Sequence, residues 1–71
     1  MQLTLNGTTQ NFDTLLPGAT LQDFLDHLAL KGDRIAVELN GNIVSRPAWS
    51  TTPLSAGDKL EVVHFVGGGT Q

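Results

Sequence analysis

Two Asn-Gly pairs, Asn6-Gly7 and Asn40-Gly41, constrain the fold of this chain more than any other feature. Asn-Gly is the preferred sequence of a two-residue β-hairpin turn, because both central positions of that turn need a positive φ. Short segments with alternating polar and apolar residues flank each pair, so we expect one hairpin over residues 1–12 and another over residues 34–44. The residues expected to face the core are Leu3, Leu5, Ile35, Val37 and Leu39.

The stretch between the hairpins has the periodicity of one amphipathic helix. Its apolar residues follow the i, i+3, i+4, i+7 spacing that buries one helix face, at Leu21, Phe24, Leu25 and Leu28. Thr20 precedes the stripe and is expected to cap the helix with its hydroxyl, while Asp23 adds negative charge to the first turn. Gly32 is predicted to be the left-handed residue that ends the helix.

The rest of the chain predicts a helical turn and a last strand. Arg46–Trp49 has the composition of one helical turn, with Pro47 at its first position, and we expect Trp49 to cover one end of the core. The last strand places Leu60 and Val62 on one face. The element order predicts an α+β fold of the β-grasp type, in which a mixed sheet of 4–5 strands packs on one α-helix.

Composition narrows the possible functions. The chain has 71 residues, no cysteine and a net charge of −3, so we expect one small domain without a disulfide, a thiolate metal site or a cysteine nucleophile. Its four basic residues are scattered, which argues against binding to nucleic acid. No apolar run is long enough for a membrane span, and a cytoplasmic location is the default expectation.

The titratable residues do not predict an active site. His27 lies near Asp23 and Asp26 on the predicted helix, but no third ligand has metal-site spacing, so a solvated polar face is expected. His64 is expected at the rim of the sheet. A core this small leaves little room for a substrate pocket. We therefore expect no catalytic residue, no metal site and no bound cofactor.

An apolar patch on the last strand predicts a docking surface. Val63 and Phe65 alternate with Leu60 and Val62, so they should face away from the helix, with Ala36 beside them on the neighbouring strand. Apolar side chains left exposed beside a chain terminus are typical of a protein-binding surface, and scattered exposed apolar residues without a role are about as common. Two bulky residues on the last strand favour the docking surface. A basic partner is weakly favoured by the acidic balance of the chain.

The C-terminal glycines Gly67, Gly68 and Gly69 have two interpretations. Ordering three glycines costs more backbone entropy than ordering any other residues, which is consistent with a frayed terminus. Across proteins in general the frayed terminus is the commoner case. The other interpretation is a flexible arm, residues 67–71, that extends from a domain of residues 1–66 and carries a carboxylate into a partner's narrow site. A phosphate-binding loop is excluded, because no helix follows the glycines.

Taken in order, the sequence resembles the ThiS family of sulfur carrier proteins of thiamine biosynthesis, which have the ubiquitin-like β-grasp fold. The resemblance spans the chain and rests on Met1–Gly7, the helix from Thr20, Ile35–Asn40, Ile43-Val44 with Arg46 and Trp49, Leu54, Gly57-Asp58 and Gly68-Gly69. It implies that the chain is a carrier and not an enzyme.

The resemblance also implies a chemistry for the C terminus. In the family, an E1-like adenylyltransferase, ThiF, uses ATP and magnesium to adenylate the terminal glycine carboxylate. The adenylate becomes a thiocarboxylate, whose sulfur is used for thiazole formation on the thiazole synthase ThiG. The position that matches the reactive glycine is Gly69, which Thr70 and Gln71 follow here. Activation of Gly69 therefore requires removal of Thr70-Gln71, unless the two residues are an artificial extension or the chain has left sulfur transfer.

Two alternative functions stay open from the sequence. One is a sulfur carrier similar to the small subunit of molybdopterin synthase, which shares the fold and the terminal diglycine but tends to be longer. The other is a non-covalent ubiquitin-like binding module, whose tail takes no part in its function. Deletion of the chain from Gly69 onwards distinguishes the module, which would keep its function, from a carrier, which would lose it.

Overall fold

The computed structural model describes residues 1–30 and 34–64, which form one sheet, one α-helix and one 3₁₀ helix. The elements follow the predicted order. They are β1 (Gln2–Leu5), β2 (Thr8–Asn11), α1 (Leu21–His27), β3 (Ile35–Leu39), β4 (Asn42–Val44), the 3₁₀ helix (Arg46–Thr51) and β5 (Lys59–His64). No helix in the described part of the chain is long and apolar enough to cross a membrane.

The last strand lies at the centre of the sheet. The strand order is β2-β1-β5-β3-β4, with β5 parallel to β1 and antiparallel to β3. Both predicted hairpins are present, because β1 pairs with β2 and β3 pairs with β4 in antiparallel register. A mixed five-stranded sheet with one helix on one face is the ubiquitin-like β-grasp fold, which confirms the predicted fold class.

One contiguous core fills the space between α1 and the sheet. The rings of Phe12 and Phe24 meet edge to face at a centroid distance of 5.1 Å, a favourable arrangement for aromatic pairs. Trp49 is buried, and its indole Nε1 donates a hydrogen bond to the Val44 carbonyl at 2.9 Å. Trp49 is therefore part of the core, in agreement with the expectation that it packs there. The other buried residues are Leu3, Leu15, Leu21, Leu25, Ile35, Val37, Leu54, Leu60 and Val62.

The beginning of α1 has the cap that the sequence predicts. The Thr20 hydroxyl accepts a hydrogen bond from the Asp23 amide at 3.2 Å, and the Asp23 carboxylate accepts one from the Thr20 amide at 2.9 Å. This reciprocal capping box satisfies two amide groups that would otherwise have no partner in the helix.

The end of α1 differs from the prediction. The helix ends at His27, before Gly32, which lies outside the described residues. The left-handed residue is Ala29, with φ of 59°. The Ala29 amide donates to the Asp26 carbonyl and the Leu30 amide donates to the Leu25 carbonyl, which is the bond pattern of a Schellman motif. The hydrogen bonds and the packing of Leu30 against the core therefore stop the helix without a glycine.

Ala29→Gly is expected to stabilise the protein. The left-handed conformation costs an L-residue roughly 1–2 kcal/mol, while glycine adopts it freely and loses part of this gain through its larger unfolded-state entropy. We expect the free energy of unfolding to rise by about 0.5–1 kcal/mol, measured by urea denaturation. Ala48→Gly, in the 3₁₀ helix, is the control and should destabilise the protein. A decrease with Ala29→Gly would contradict the assigned helix end.

Candidate functional site

The candidate site is the C-terminal end of β5 together with the sheet face beside it. The predicted tail, Gly67, Gly68 and Gly69, and the predicted docking residue Phe65 lie outside the described residues. The domain boundary predicted at residue 66 lies there too. The described part of the candidate site is therefore β5 up to His64 and the sheet face beside it.

Both neighbours of β5 hold it in the sheet. Five residue pairs join it to β3, from Leu39 opposite Leu60 to Ile35 opposite His64. On the other side its register with β1 pairs Thr4 with Lys59 and Leu5 with Leu60. A central strand of a sheet has hydrogen-bonding partners on both sides. Because of this, β5 is a rigid attachment point for the residues that follow it in sequence.

The face of the sheet away from α1 has exposed apolar side chains, as predicted. We call it the outer face and define it by Ala36, Glu38, Ile43, Glu61 and Val63. Ala36 lies directly opposite Val63, which confirms the predicted adjacency. Val63 is 54% exposed and Ile43 is 78% exposed, both large fractions for β-branched apolar residues.

Ile43 is the outer-face residue that the sequence reasoning missed. It is flanked by Asn42 and Val44 in β4, and the half-buried Val44 faces the core. Alternation along β4 therefore places Ile43 on the face away from the core. This apolar-residue pattern was already present in the sequence of the three-residue strand. The register then brings it opposite Glu38 on β3.

The outer face also has two carboxylates in direct opposition. Glu38 and Glu61 are cross-strand partners in the β3–β5 pairing. Like charges at directly opposite positions of a sheet destabilise it. The pair is therefore unfavourable in the free protein and would be relieved by a cationic group of a partner.

The described residues do not form a catalytic cluster. His27 is exposed at the end of α1, where its Nδ1 lies 3.1 Å from the Thr14 hydroxyl. His64 is exposed and ends β5, in agreement with its predicted place at the rim of the sheet. Residues 1–30 and 34–64 contain no group of three or more histidine and acidic side chains that could hold a metal ion.

The hollows of this part of the molecule are open grooves on its surface. One groove has a volume of about 450 Å³ and lies at the opposite end of β1 from Leu5, beside Met1 and Leu54. The expectation that a core this small leaves little room for a pocket concerned the interior of the core, and this groove lies on the surface. Its lining is mainly apolar and contains no acidic, basic or histidine side chain. The charged group beside it is the N-terminal amine, which donates a hydrogen bond to the Phe12 carbonyl.

The comparison with known families agrees with the fold and the sheet geometry. The model of the ThiS family matches residues 3–69, which is nearly the whole chain. The chain belongs to the ThiS family. The match continues through the C-terminal glycines and ends at Gly69, the residue that the resemblance pointed to.

Individual relatives agree with the family assignment. The chain is 38% identical over 50 residues to the sulfur carrier protein ThiS of Bacillus subtilis, covering 70% of this chain and 76% of the relative. It is 39% identical over 69 residues to a thiazole synthase of Magnetococcus marinus, covering 97% of this chain. The chain spans only 20% of the length of that thiazole synthase.

A solved structure gives the same result for the fold. The crystal structure of the thiamine biosynthesis protein ThiS from Geobacter metallireducens superposes with a TM-score of 0.83 at 33% sequence identity. The match covers 97% of this chain and 100% of the other. This family member therefore shares the whole architecture described above.

Proposed function

We propose that this chain is a sulfur carrier of thiamine biosynthesis that acts in the cytoplasm. Once Thr70 and Gln71 are removed, its Gly69 carboxylate is adenylated and converted to a thiocarboxylate, which donates sulfur for thiazole formation. The observation that carries the proposal is the family match over residues 3–69, which ends at the glycine whose carboxylate is assigned the reaction.

The chemistry explains why a glycine at the end of an extended arm suits this role. A carboxylate is a poor electrophile, so an oxygen of Gly69 attacks the α-phosphate of ATP and displaces pyrophosphate. Hydrosulfide, HS⁻, then attacks the carbonyl carbon of the acyl-adenylate and displaces AMP, which leaves a thiocarboxylate and releases a proton. ATP and magnesium belong to the E1-like activating partner, as in the ThiF-type adenylyltransferases. Residues 66–69 span at most about 14 Å when fully extended, enough to cross the wall of a partner's active site.

The second partner in the proposal is a thiazole synthase of the ThiG type. The supporting observation is the Magnetococcus relative, a protein named thiazole synthase in which one region resembles this whole chain. A linkage within one polypeptide raises the effective concentration of one part at the other. We propose that contact between this chain and its synthase uses the outer face.

The outer face is the proposed docking surface for these partners. Its exposed Val63 and Ile43 supply apolar area, and Val63 lies one residue before the described end of β5. Ala36 beside Val63 leaves room for a partner side chain, because it is the smallest side chain of the face. The Glu38–Glu61 pair lies between the apolar residues and would attract a basic group of the partner. Phe65 is part of the proposed surface on the basis of sequence alternation alone.

Val63→Asp is expected to weaken binding to the activating enzyme by about tenfold or more, because the aspartate would be desolvated at the contact. Leu16→Asp is the matched control, since Leu16 is 68% exposed but lies in the loop before α1. Titration calorimetry or surface plasmon resonance would measure both dissociation constants. Equal affinities for the two variants would exclude the outer face as the docking surface.

The intact mass of the chain tests the proposed reaction. After incubation with the activating enzyme, ATP, magnesium, a sulfur source and a trimming extract, the mass should correspond to loss of Thr70 and Gln71. One oxygen should also be replaced by sulfur. A chain already trimmed to Gly69 that gains no sulfur in this mixture would contradict the proposal.

A further inference from the structure

The side chains of the two Asn-Gly turns are bonded to β5 and the residue before it, but in different surroundings. Asn6 Oδ1 accepts a hydrogen bond from the Val62 amide at 2.8 Å, and Asn6 Nδ2 donates to the Val62 carbonyl at 3.3 Å. Asn40 Oδ1 accepts one from the Lys59 amide at 2.9 Å, and Asn40 Nδ2 donates to Asp58 Oδ1 at 3.1 Å. The bonds of Asn6 are partly buried, whereas those of Asn40 are exposed.

An asparagine that is followed by glycine is open to a spontaneous reaction in water, because glycine has no Cβ to hinder attack by its nitrogen. That nitrogen attacks the side-chain carbonyl carbon, a cyclic imide forms, and ammonia leaves with the proton of the attacking amide. Water then opens the imide. Addition at the side-chain carbonyl gives aspartate, and addition at the backbone carbonyl gives iso-aspartate, in which the main chain contains an extra methylene group.

The folded structure opposes this reaction to different degrees at the two turns. The carboxamide carbon has to swing towards the nitrogen of the following glycine, so both side-chain hydrogen bonds must break before the attack. When the Asn6 bonds break, the amide and carbonyl of the buried Val62 lose their partner, and an unpaired buried polar group is costly. When the Asn40 bonds break, water replaces them, because both lie at the exposed surface.

We propose that Asn40 is a site of spontaneous deamidation in the folded protein, whereas Asn6, which has the same sequence signal, is protected by its surroundings. The reaction needs only water as co-reactant. It converts one neutral side chain into a carboxylate at the turn between β3 and β4, and the iso-aspartate product also lengthens the main chain of that turn.

The new carboxylate would face an existing one. Asn40 Nδ2 now lies 3.1 Å from Asp58 Oδ1, and deamidation replaces this donor with a negatively charged oxygen. The other oxygen of Asp58 accepts a hydrogen bond from the Ser55 amide at 2.8 Å, in the turn that leads into β5. A favourable contact between the two turns therefore becomes a repulsive one, and the modification lowers the stability of the fold.

Peptide mapping after long incubation at mildly alkaline pH tests the site. Trypsin cleaves after Arg34, so Asn6 and Asn40 are in different peptides, and tandem mass spectrometry assigns each modified residue. In guanidinium chloride, where the fold is lost, we expect equal rates at the two sites. In the folded chain the rate should fall about fivefold at Asn40, the effect of two weak bonds, and roughly 100-fold at Asn6, the effect of two strong ones. Equal protection of the two sites, or faster reaction at Asn6, would overturn the proposal.

A pair of substitutions tests the effect of the product. Asn40→Asp is expected to raise the equilibrium constant of unfolding about tenfold, the effect of losing a hydrogen bond to a charged group. The double variant Asn40→Asp with Asp58→Asn exchanges donor and acceptor, so it should recover most of this loss, as measured by urea denaturation. If Asn40→Asp is as stable as the wild type, or the double variant is less stable than Asn40→Asp, the repulsion assigned to the product is wrong.

Discussion

A chain that ends at Gly69 is expected to form a thiocarboxylate, whereas the same chain with Thr70 and Gln71 attached is not. The reason is covalent, because in the longer chain the Gly69 carbonyl is part of a peptide bond and has no oxygen free to attack ATP. The free carboxylate of the longer chain belongs to Gln71, two residues beyond Gly69. The bulky side chain of Gln71 also lies next to that carboxylate. The measurement is intact mass after incubation with the purified activating enzyme, ATP, magnesium and a sulfur source, without a protease.

A chain that ends at Gly68 is the control for the length of the arm. It has a free glycine carboxylate but is shorter by one residue, about 3.5 Å of reach. We expect its rate of activation to be lower by about 100-fold, since small misplacements of a reacting group have effects of that size. Binding to the activating enzyme through the outer face should remain. If the Gly68 chain and the longer chain both support thiazole formation, the protein is a binding module and the carrier chemistry is wrong.

Phe24→Ala is expected to have the largest effect on stability of any single truncation in the core. Phe24 is completely buried in α1 and its ring contacts Phe12 on the far side of the helix–sheet interface. Truncation of a buried phenylalanine costs about 3–5 kcal/mol. A domain of this size has a total stability of about 4–10 kcal/mol, so the variant should be close to unfolding at room temperature. Urea denaturation followed by tryptophan fluorescence of Trp49 would measure the change.

Leu16→Ala is the control for this prediction. Leu16 is 68% exposed, so its truncation should change the free energy of unfolding by no more than about 0.5 kcal/mol. The slope of unfolding free energy against urea concentration should be the same for both variants if the native state stays compact. A cost for Phe24→Ala as small as that for Leu16→Ala would mean that the core does not depend on α1.

Local signals in the sequence were sufficient for most of the fold. Each Asn-Gly turn needs a positive φ at both positions, and the structure has both turns where the residues predict them. The capping box at Thr20 and the apolar stripe of α1 are likewise properties of adjacent residues. The end of α1 was predicted wrongly, because the glycine rule considers backbone preference alone. Packing of Leu30 against the core outweighs the cost of a left-handed Ala29.

The candidate site could be predicted only in part. The sequence placed Val63 on the face away from the helix and Ala36 beside it, since alternation along a strand has a period of two. It could not show that Ile43 and Glu61 lie directly opposite Glu38 on that face. Their proximity depends on the register between β4, β3 and β5, which long-range pairing sets.

The sequence alone determined the turns and the helix, because these depend on residues close together in the chain. It also determined the family, because the resemblance extends over nearly the whole sequence. The tertiary structure decided that β5 lies at the centre of the sheet, parallel to β1. It also decided that Asn6 bonds to a residue 56 positions away. The same Asn-Gly signal marks both turns, yet only the parallel pairing places one of them beside the end of β5. The physical reason is that strand order and direction follow from burying one shared apolar face, which no local segment specifies.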